Sequence, residues 1–148
     1  MKIIVSAGGT GGHIYPALAI IEKFKEHEKD LDILYIGTHN RMEAELIPKR
    51  GIKYESLEIY GFSKSNIGLD IKNVFLIKKA YQKCLKIMRE FKPDLVLGIG
   101  GYVTYPVIKA ASKLGIKTFI HEQNSHPGKT NLALQKKVDL IGVSFKET

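Results

Sequence analysis

Residues 1–18, MKIIVSAGGTGGHIYPAL, decide the fold. Residues 2–6 (KIIVS) hold a continuous apolar run rather than an alternating one, the pattern of a strand covered on both faces. Directly after it come four glycines in five positions, Gly8, Gly9, Gly11 and Gly12, with Thr10 between them and His13 behind. Pro16 then stands where a first helical turn would begin, a position that proline tolerates well. Strand, glycine turn and helix in that order form the first unit of an α/β chain.

Working outward, the same alternation continues to the end. Strands are predicted at 32–36, 53–58, 94–98, 117–121 and 139–143, and helices at 16–28, 41–50, 70–91, 106–114 and 129–136. Pro106 opens its helix as Pro16 does, and Gly51 and Gly115 follow theirs as C-caps. Repeated βα units imply a parallel, doubly wound, Rossmann-like sheet. No internal repeat or low-complexity linker interrupts it, so residues 1–148 read as one domain. A chain of 148 residues, 44% of them hydrophobic, suits a single core.

Composition narrows the function classes. Gly at 14 and Pro at 5 are too few for a disordered or collagen-like chain. Cys84 is the sole cysteine, which excludes an internal disulfide and fits a reducing compartment. No run approaches the roughly 18 apolar residues of a membrane span, and residues 1–9 lack the apolar core and cleavage site of a signal peptide. The expectation is a soluble protein, or one attached to a surface. A net charge of +8 calls for an anionic partner: nucleic acid, phosphorylated substrate or acidic lipid.

Ligands of open parallel sheets bind beyond the carboxyl ends of the strands, and three loops there are chemically unusual. Residues 7–13 (AGGTGGH) can bring backbone N–H groups and a helix N-terminus close to a phosphate. They are not a P-loop, because no Lys-Ser/Thr follows the glycines. The dinucleotide fingerprint fails too, with Ile14 at its third glycine position and no acid after Gly37-Thr38. Residues 98–102 (GIGGY), with Thr104 and Pro106, repeat the strand–glycine–helix arrangement and are predicted to lie near the first loop, across the reversal in strand order. Residues 121–128 (HEQNSHPG) set acid, amide and imidazole side chains at a strand end, where they can bind sugar hydroxyls or move a proton. For His121 and Glu122 a structural role, holding the neighbouring glycine loop, stands beside direct chemistry. His121 and His126 have no thiolate partner or paired carboxylate at ligand spacing, so no metal site is expected.

Together these segments resemble MurG-type glycosyltransferases. Gly8-Gly9-Thr10-Gly11-Gly12-His13 before Pro16-Ala17-Leu18-Ala19 is similar to their first glycine loop. Gly100-Gly101-Tyr102-Val103 is similar to their second. His121-Glu122-Gln123-Asn124, with Pro127-Gly128 and Thr130-Asn131, is similar to their third signature. The resemblance runs the length of the chain and implies the N-terminal, acceptor-binding half of a two-domain GT-B fold. The implied acceptor is lipid I, the donor UDP-N-acetylglucosamine (UDP-GlcNAc), and the product lipid II, formed with inversion and without a cofactor. Carried over by motif position, Thr10, Gly11, Gly12 and Asn124 touch the donor. Gly8, Gly9, Gly100 and Gly101 hold the acceptor diphosphate, and Tyr102 and His121 shape the acceptor site. His13 is the first candidate for the base at the acceptor C4 hydroxyl, and Glu122 is its rival. The donor-binding half of such enzymes has no counterpart within residues 1–148, so this chain is expected to be inactive alone.

The same resemblance implies peripheral attachment at the cytoplasmic face of the bacterial membrane, and the helix at 70–91 bears on that independently. At 100° per residue, Val74, Ile77, Ala80, Tyr81, Cys84, Leu85, Met88 and Phe91 share a core face. Ile71 and Phe75 fall opposite, among Lys72, Lys78, Lys79, Lys83 and Lys86, an arrangement suited to an anionic lipid surface. The bland alternative is a solvated helix with two stray apolar residues. Two further functional readings remain. One is a membrane-recruiting, acceptor-binding subunit of a two-chain transferase. The other is a nucleotide- or nucleic-acid-binding protein, opposed by the missing fingerprint and the lack of an aromatic stacking stripe.

Overall fold

A computed structural model describes residues 1–62 and 67–148. Strands β1 (Lys2–Ala7), β2 (Asp32–Thr38), β3 (Lys53–Leu57), β4 (Leu95–Gly100), β5 (Lys117–Glu122) and β6 (Leu140–Val143) alternate with helices α1 (Gly11–His27), α2 (Met42–Lys49), α3 (Ile67–Phe91), α4 (Thr104–Lys113) and α5 (Lys129–Leu134). The strands form one parallel sheet in the order β3-β2-β1-β4-β5-β6. Strand order reverses between β1 and β4, and the first two glycine loops leave the sheet from those two strands.

Alternation along the strands feeds two cores. Ile3, Val5, Ile33, Tyr35, Leu97 and Ile99 pack on one face with Ile14, Leu18 and Ile21 of α1 and Ile47 of α2. Ile4, Leu34, Ile36, Val96 and Ile120 pack on the other with Cys84 and Met88 of α3, Val107 and Ile108 of α4 and Leu134 of α5. Coverage on both faces explains the unbroken apolar runs. Strand β6 departs from that pattern: Leu140, Ile141 and Val143 are exposed at the sheet edge.

Two local readings need correction. Helix α1 begins at Gly11, so Pro16 lies inside it rather than in its first turn. The missing N–H of Pro16 costs only the bond to the carbonyl of Gly12, at the helix's own start. In α3, Val74 is exposed and not part of the core. The inward position of that turn belongs to buried Asn73, whose Oδ1 accepts from the Tyr60 N–H at 2.9 Å and whose Nδ2 donates to the Tyr60 carbonyl. Pairing both polar atoms of a carboxamide with backbone outweighs burying one valine at the helix end. Val74 therefore joins Ile71 and Phe75 on the exposed side.

Candidate functional site

The first two glycine loops meet in backbone contact. Gly8 N–H donates to the Gly100 carbonyl at 3.2 Å. Gly101 has φ +89°, and a Cβ there would lie 2.3 Å from the Gly8 carbonyl oxygen. No larger residue fits such an approach without moving one loop. Thr104 locks the second loop from below, its hydroxyl donating to the carbonyls of Gly100 at 2.9 Å and Ser6 at 3.3 Å.

His13 sits in the first turn of α1, with its ring against the second loop. A Cβ at Gly100 would stand 2.9 Å from His13 Nε2. Nδ1 lies 3.3 Å from the Thr10 hydroxyl. Thr10 is the N-cap residue of α1, yet its side chain bonds no backbone N–H and turns to the imidazole instead. Among the described residues, the Gly11 and Gly12 N–H groups donate to no backbone acceptor outside α1, while His13 and Ile14 donate to the Thr10 carbonyl. Two backbone donors thus stand open at the N-terminus of a 17-residue helix beside an imidazole, an arrangement that attracts an anion. Tyr102 flanks the loops, its ring 3.4 Å from a Cβ at Gly61 and 3.7 Å from one at Gly9. With Tyr60, Phe62 and Tyr105 it walls a cavity of about 360 Å³.

The third loop is organised around Glu122. Its Oε1 accepts from Asn124 N–H at 3.0 Å and Asn124 Nδ2 at 2.9 Å. Its Oε2 accepts from Gly128 N–H and Asn131 Nδ2, both at 2.8 Å. Burial pushes the Glu122 carboxyl up, but the bonds from Gly128, Asn124 and Asn131 outweigh it and hold the group below the ordinary carboxylate range. Asn124 Nδ2 is committed within the loop.

His121 points to the other face of the sheet. It lines an apolar cavity of about 490 Å³ with Ile20 and Phe24 of α1, Phe119 and Leu140. Its Nε2 lies 3.4 Å from the Ser144 hydroxyl, and its Nδ1 is buried without a partner. Gly8, Gly9, Thr10, Gly11, Gly12, His13, Gly100, Gly101 and Tyr102 are therefore brought together. Glu122 and Asn124 brace their own loop, and His121 is on the side away from Tyr102.

Sequence reasoning missed Glu43, a fully buried acid on α2 whose carboxylate reaches the first glycine loop. The signal was weak: an acid in the first turn of a helix is ordinary dipole chemistry, and nothing local distinguishes Glu43 from Glu45.

An open parallel sheet with two glycine loops joined at its switch point and a histidine between them defines a Rossmann-like domain with open backbone donors at that crevice. The chain belongs to glycosyltransferase family 28: that family's N-terminal domain matches residues 3–143. Among curated relatives, the UDP-N-acetylglucosamine--N-acetylmuramyl-(pentapeptide) pyrophosphoryl-undecaprenol N-acetylglucosamine transferase of Bacillus licheniformis is 49% identical over 147 residues, 99% of this chain and 40% of that protein. The same-named transferase of Lactococcus lactis subsp. lactis is 50% identical over 145 residues, 98% of this chain and 41% of that protein. The crystal structure of Acinetobacter baumannii MurG superposes with a TM-score of 0.87 at 33% identity, covering 99% of this chain and 42% of that one. The UDP-GlcNAc 2-epimerase of Methanocaldococcus jannaschii shares the fold, with a TM-score of 0.67 at 16% identity. This chain thus spans about 40% of the length of the curated relatives it matches.

Proposed function

We propose that this chain is the acceptor-binding half of an inverting N-acetylglucosaminyltransferase that converts lipid I to lipid II with UDP-GlcNAc. The observation that carries this reading is His13 standing between two glycine loops in backbone contact. On it, Gly11, Gly12, Gly100 and Gly101 hold the acceptor diphosphate through backbone donors and the positive end of α1, with Tyr102 beside them. His13 takes the proton from the C4 hydroxyl of the acceptor sugar as that oxygen attacks the anomeric carbon of the donor. The bond to UDP breaks on the opposite side, and UDP leaves with the electron pair. Thr10 orients the imidazole through Nδ1, and Thr10, Gly11 and Gly12 also border the donor. Glu122 is the rival candidate for the base. Four accepted hydrogen bonds and a depressed pKa favour its structural role, shaping the loop from which Asn124 meets the donor.

Donor binding belongs mainly to a second domain outside residues 1–148, and the reaction needs both halves to orient the reactants. The exposed Ile71, Val74 and Phe75, with exposed Lys72, Lys78 and Lys79 around them, support attachment to an anionic membrane surface, taken to be the cytoplasmic one. No helix among the described residues is long and apolar enough to cross a membrane.

The test is a transfer assay with labelled UDP-GlcNAc and a short-chain lipid I analogue, with and without a separately expressed donor half from a relative. Transfer is expected only when both halves are present. His13→Ala is expected to lower kcat by about 100-fold or more, the usual worth of a general base. Transfer by the chain alone, or normal kcat in the His13 variant, contradicts the assignment.

A further inference from the structure

Glu43 is fully buried in α2, and among the described residues it forms no ion pair. A buried carboxylate without a cation is costly unless donors surround it. The donors here come from two separate pieces of the molecule. At the end of β2, Thr38 gives its N–H at 3.0 Å and its hydroxyl at 2.7 Å to Oε1. On the first glycine loop, Gly9 gives its N–H, at 3.4 Å from Oε1 and 3.3 Å from Oε2. All three of these groups can donate to the carboxylate oxygens.

Two glycines exist in the form the side chain requires. A Cβ at Gly8 would stand 2.4 Å from Glu43 Oε1, and a Cβ at Gly37 would stand 2.7 Å from Glu43 Cγ. The carboxylate therefore threads between the loop and the neighbouring strand. Two phenols fix the surroundings: Tyr35 donates to the Ala7 carbonyl at 3.0 Å and Tyr54 to the Thr38 carbonyl at 2.6 Å. Burial first, and then the Glu43 charge, push both phenols well above the usual tyrosine range, so both stay donors.

This geometry divides the first loop. Gly8 is packed against Glu43, and the Gly9 N–H points to the carboxylate rather than outward. Gly11 and Gly12 retain their donors for a ligand. We propose that Glu43 is the positioning residue of the first glycine loop, anchoring Gly8–Gly9 to β2 so that Gly11, Gly12 and His13 are presented to the substrate. The proposal rests on the transferase reading for its kinetic consequence, but not for its structural one. Because the loop's reach toward the substrate is set from behind, its loss appears in turnover more than in global stability.

The experiment compares Glu43→Gln with Thr118→Val, which removes a hydroxyl that donates to the exposed Asp139 carboxylate at 2.9 Å and accepts from its N–H at 3.1 Å, toward the β6 edge of the sheet. In Glu43→Gln, one oxygen remains to accept from Thr38, but the amide NH2 meets the Gly9 N–H donor to donor. Amide exchange is read by NMR on the 148-residue chain, and kcat and KM in the two-half assay. Glu43→Gln is expected to speed exchange at Gly8 and Gly9, whose N–H groups are bonded to the Gly100 carbonyl and to Glu43, at least about tenfold, with Leu97 and Phe119 unchanged. It should lower kcat at least about tenfold, with donor KM within about twofold. Thr118→Val should lower Tm and leave loop exchange and kcat at wild-type values. Unchanged loop exchange in Glu43→Gln, or exchange accelerated equally through the sheet, overturns the proposal. If the wild type shows no transfer, the transferase reading fails, and the exchange arm still decides whether Glu43 holds the loop.

Discussion

At the residue scale, glycines that look alike in the sequence serve different ends. Gly101 and Gly51 both have positive φ, at +89° and +73°. A Cβ on Gly51 meets nothing within 4 Å, whereas one on Gly101 meets the backbone of Gly8. Gly51→Ala is therefore expected to cost about 1 kcal/mol, the price of a left-handed conformation alone. Gly101→Ala should cost about 3 kcal/mol, because strain and a backbone collision add and the two loops must part. Urea denaturation of the two variants checks the difference. Glu122 supplies the pH dependence at this scale. Its folded pKa is depressed, so its contribution to stability is present above the ordinary carboxylate range and is lost as pH falls through the folded value. Glu122→Gln leaves at least one of the four donors unpaired and should destabilise the chain by about 2 kcal/mol at pH 7. The gap between variant and wild type should close below about pH 4, measured by denaturation across pH.

At the element scale, α3 shows how one polar side chain sets the phase of a helix. Asn73 docks on the backbone of Tyr60, and the turn around it presents Ile71, Val74 and Phe75 outward, with Phe75 70% exposed. Lys83 also departs from the basic cluster read in the sequence. It pairs with Glu55 at 3.0 Å and donates to the Ser56 carbonyl at 2.8 Å, tying α3 to β3. The lysines beside the apolar stripe are Lys72, Lys78 and Lys79. Ile71→Ser with Phe75→Ser is expected to weaken binding to anionic vesicles by about tenfold or more, since each exposed apolar side chain contributes on the order of 1.5 kcal/mol when buried. Co-sedimentation with anionic vesicles measures it, and undiminished binding would remove α3 from the membrane surface.

At the scale of the whole molecule, strand order brings the site together. Residues 8–13 and 100–102 are far apart in the chain and adjacent in space because β1 and β4 are neighbours. The reversal there leaves a crevice into which both loops project. Net charge acts at the same scale. With +8 on the chain, vesicle binding should weaken steeply with salt, because the screening length shrinks from about 10 Å at 0.1 M to about 3 Å at 1 M. Binding by the wild type that is insensitive to salt would assign attachment to the apolar stripe alone.

Much of this was legible in the sequence. Apolar runs, glycine turns and proline positions specified a parallel α/β sheet, because strand and helix periodicity and turn conformation are properties of neighbouring residues. The same local chemistry made residues 8–13 and 100–102 candidate sites, and the resemblance of the three motifs supplied the roles proposed for them. The sequence could not decide which way a side chain at a strand end points, nor what meets it across the fold. Glu122 and His121 are adjacent, yet one turns to α5 and accepts four hydrogen bonds while the other faces an apolar cavity beside α1. Val74 had the spacing of a core residue and lost that place to Asn73. Glu43 had no local mark, since its importance comes from Gly9 and Thr38, which reach it only after β1, β2 and α2 have packed. Periodicity and turn preference are written into short stretches of chain, whereas hydrogen-bond satisfaction of buried polar groups is settled between stretches and exists only in the folded molecule.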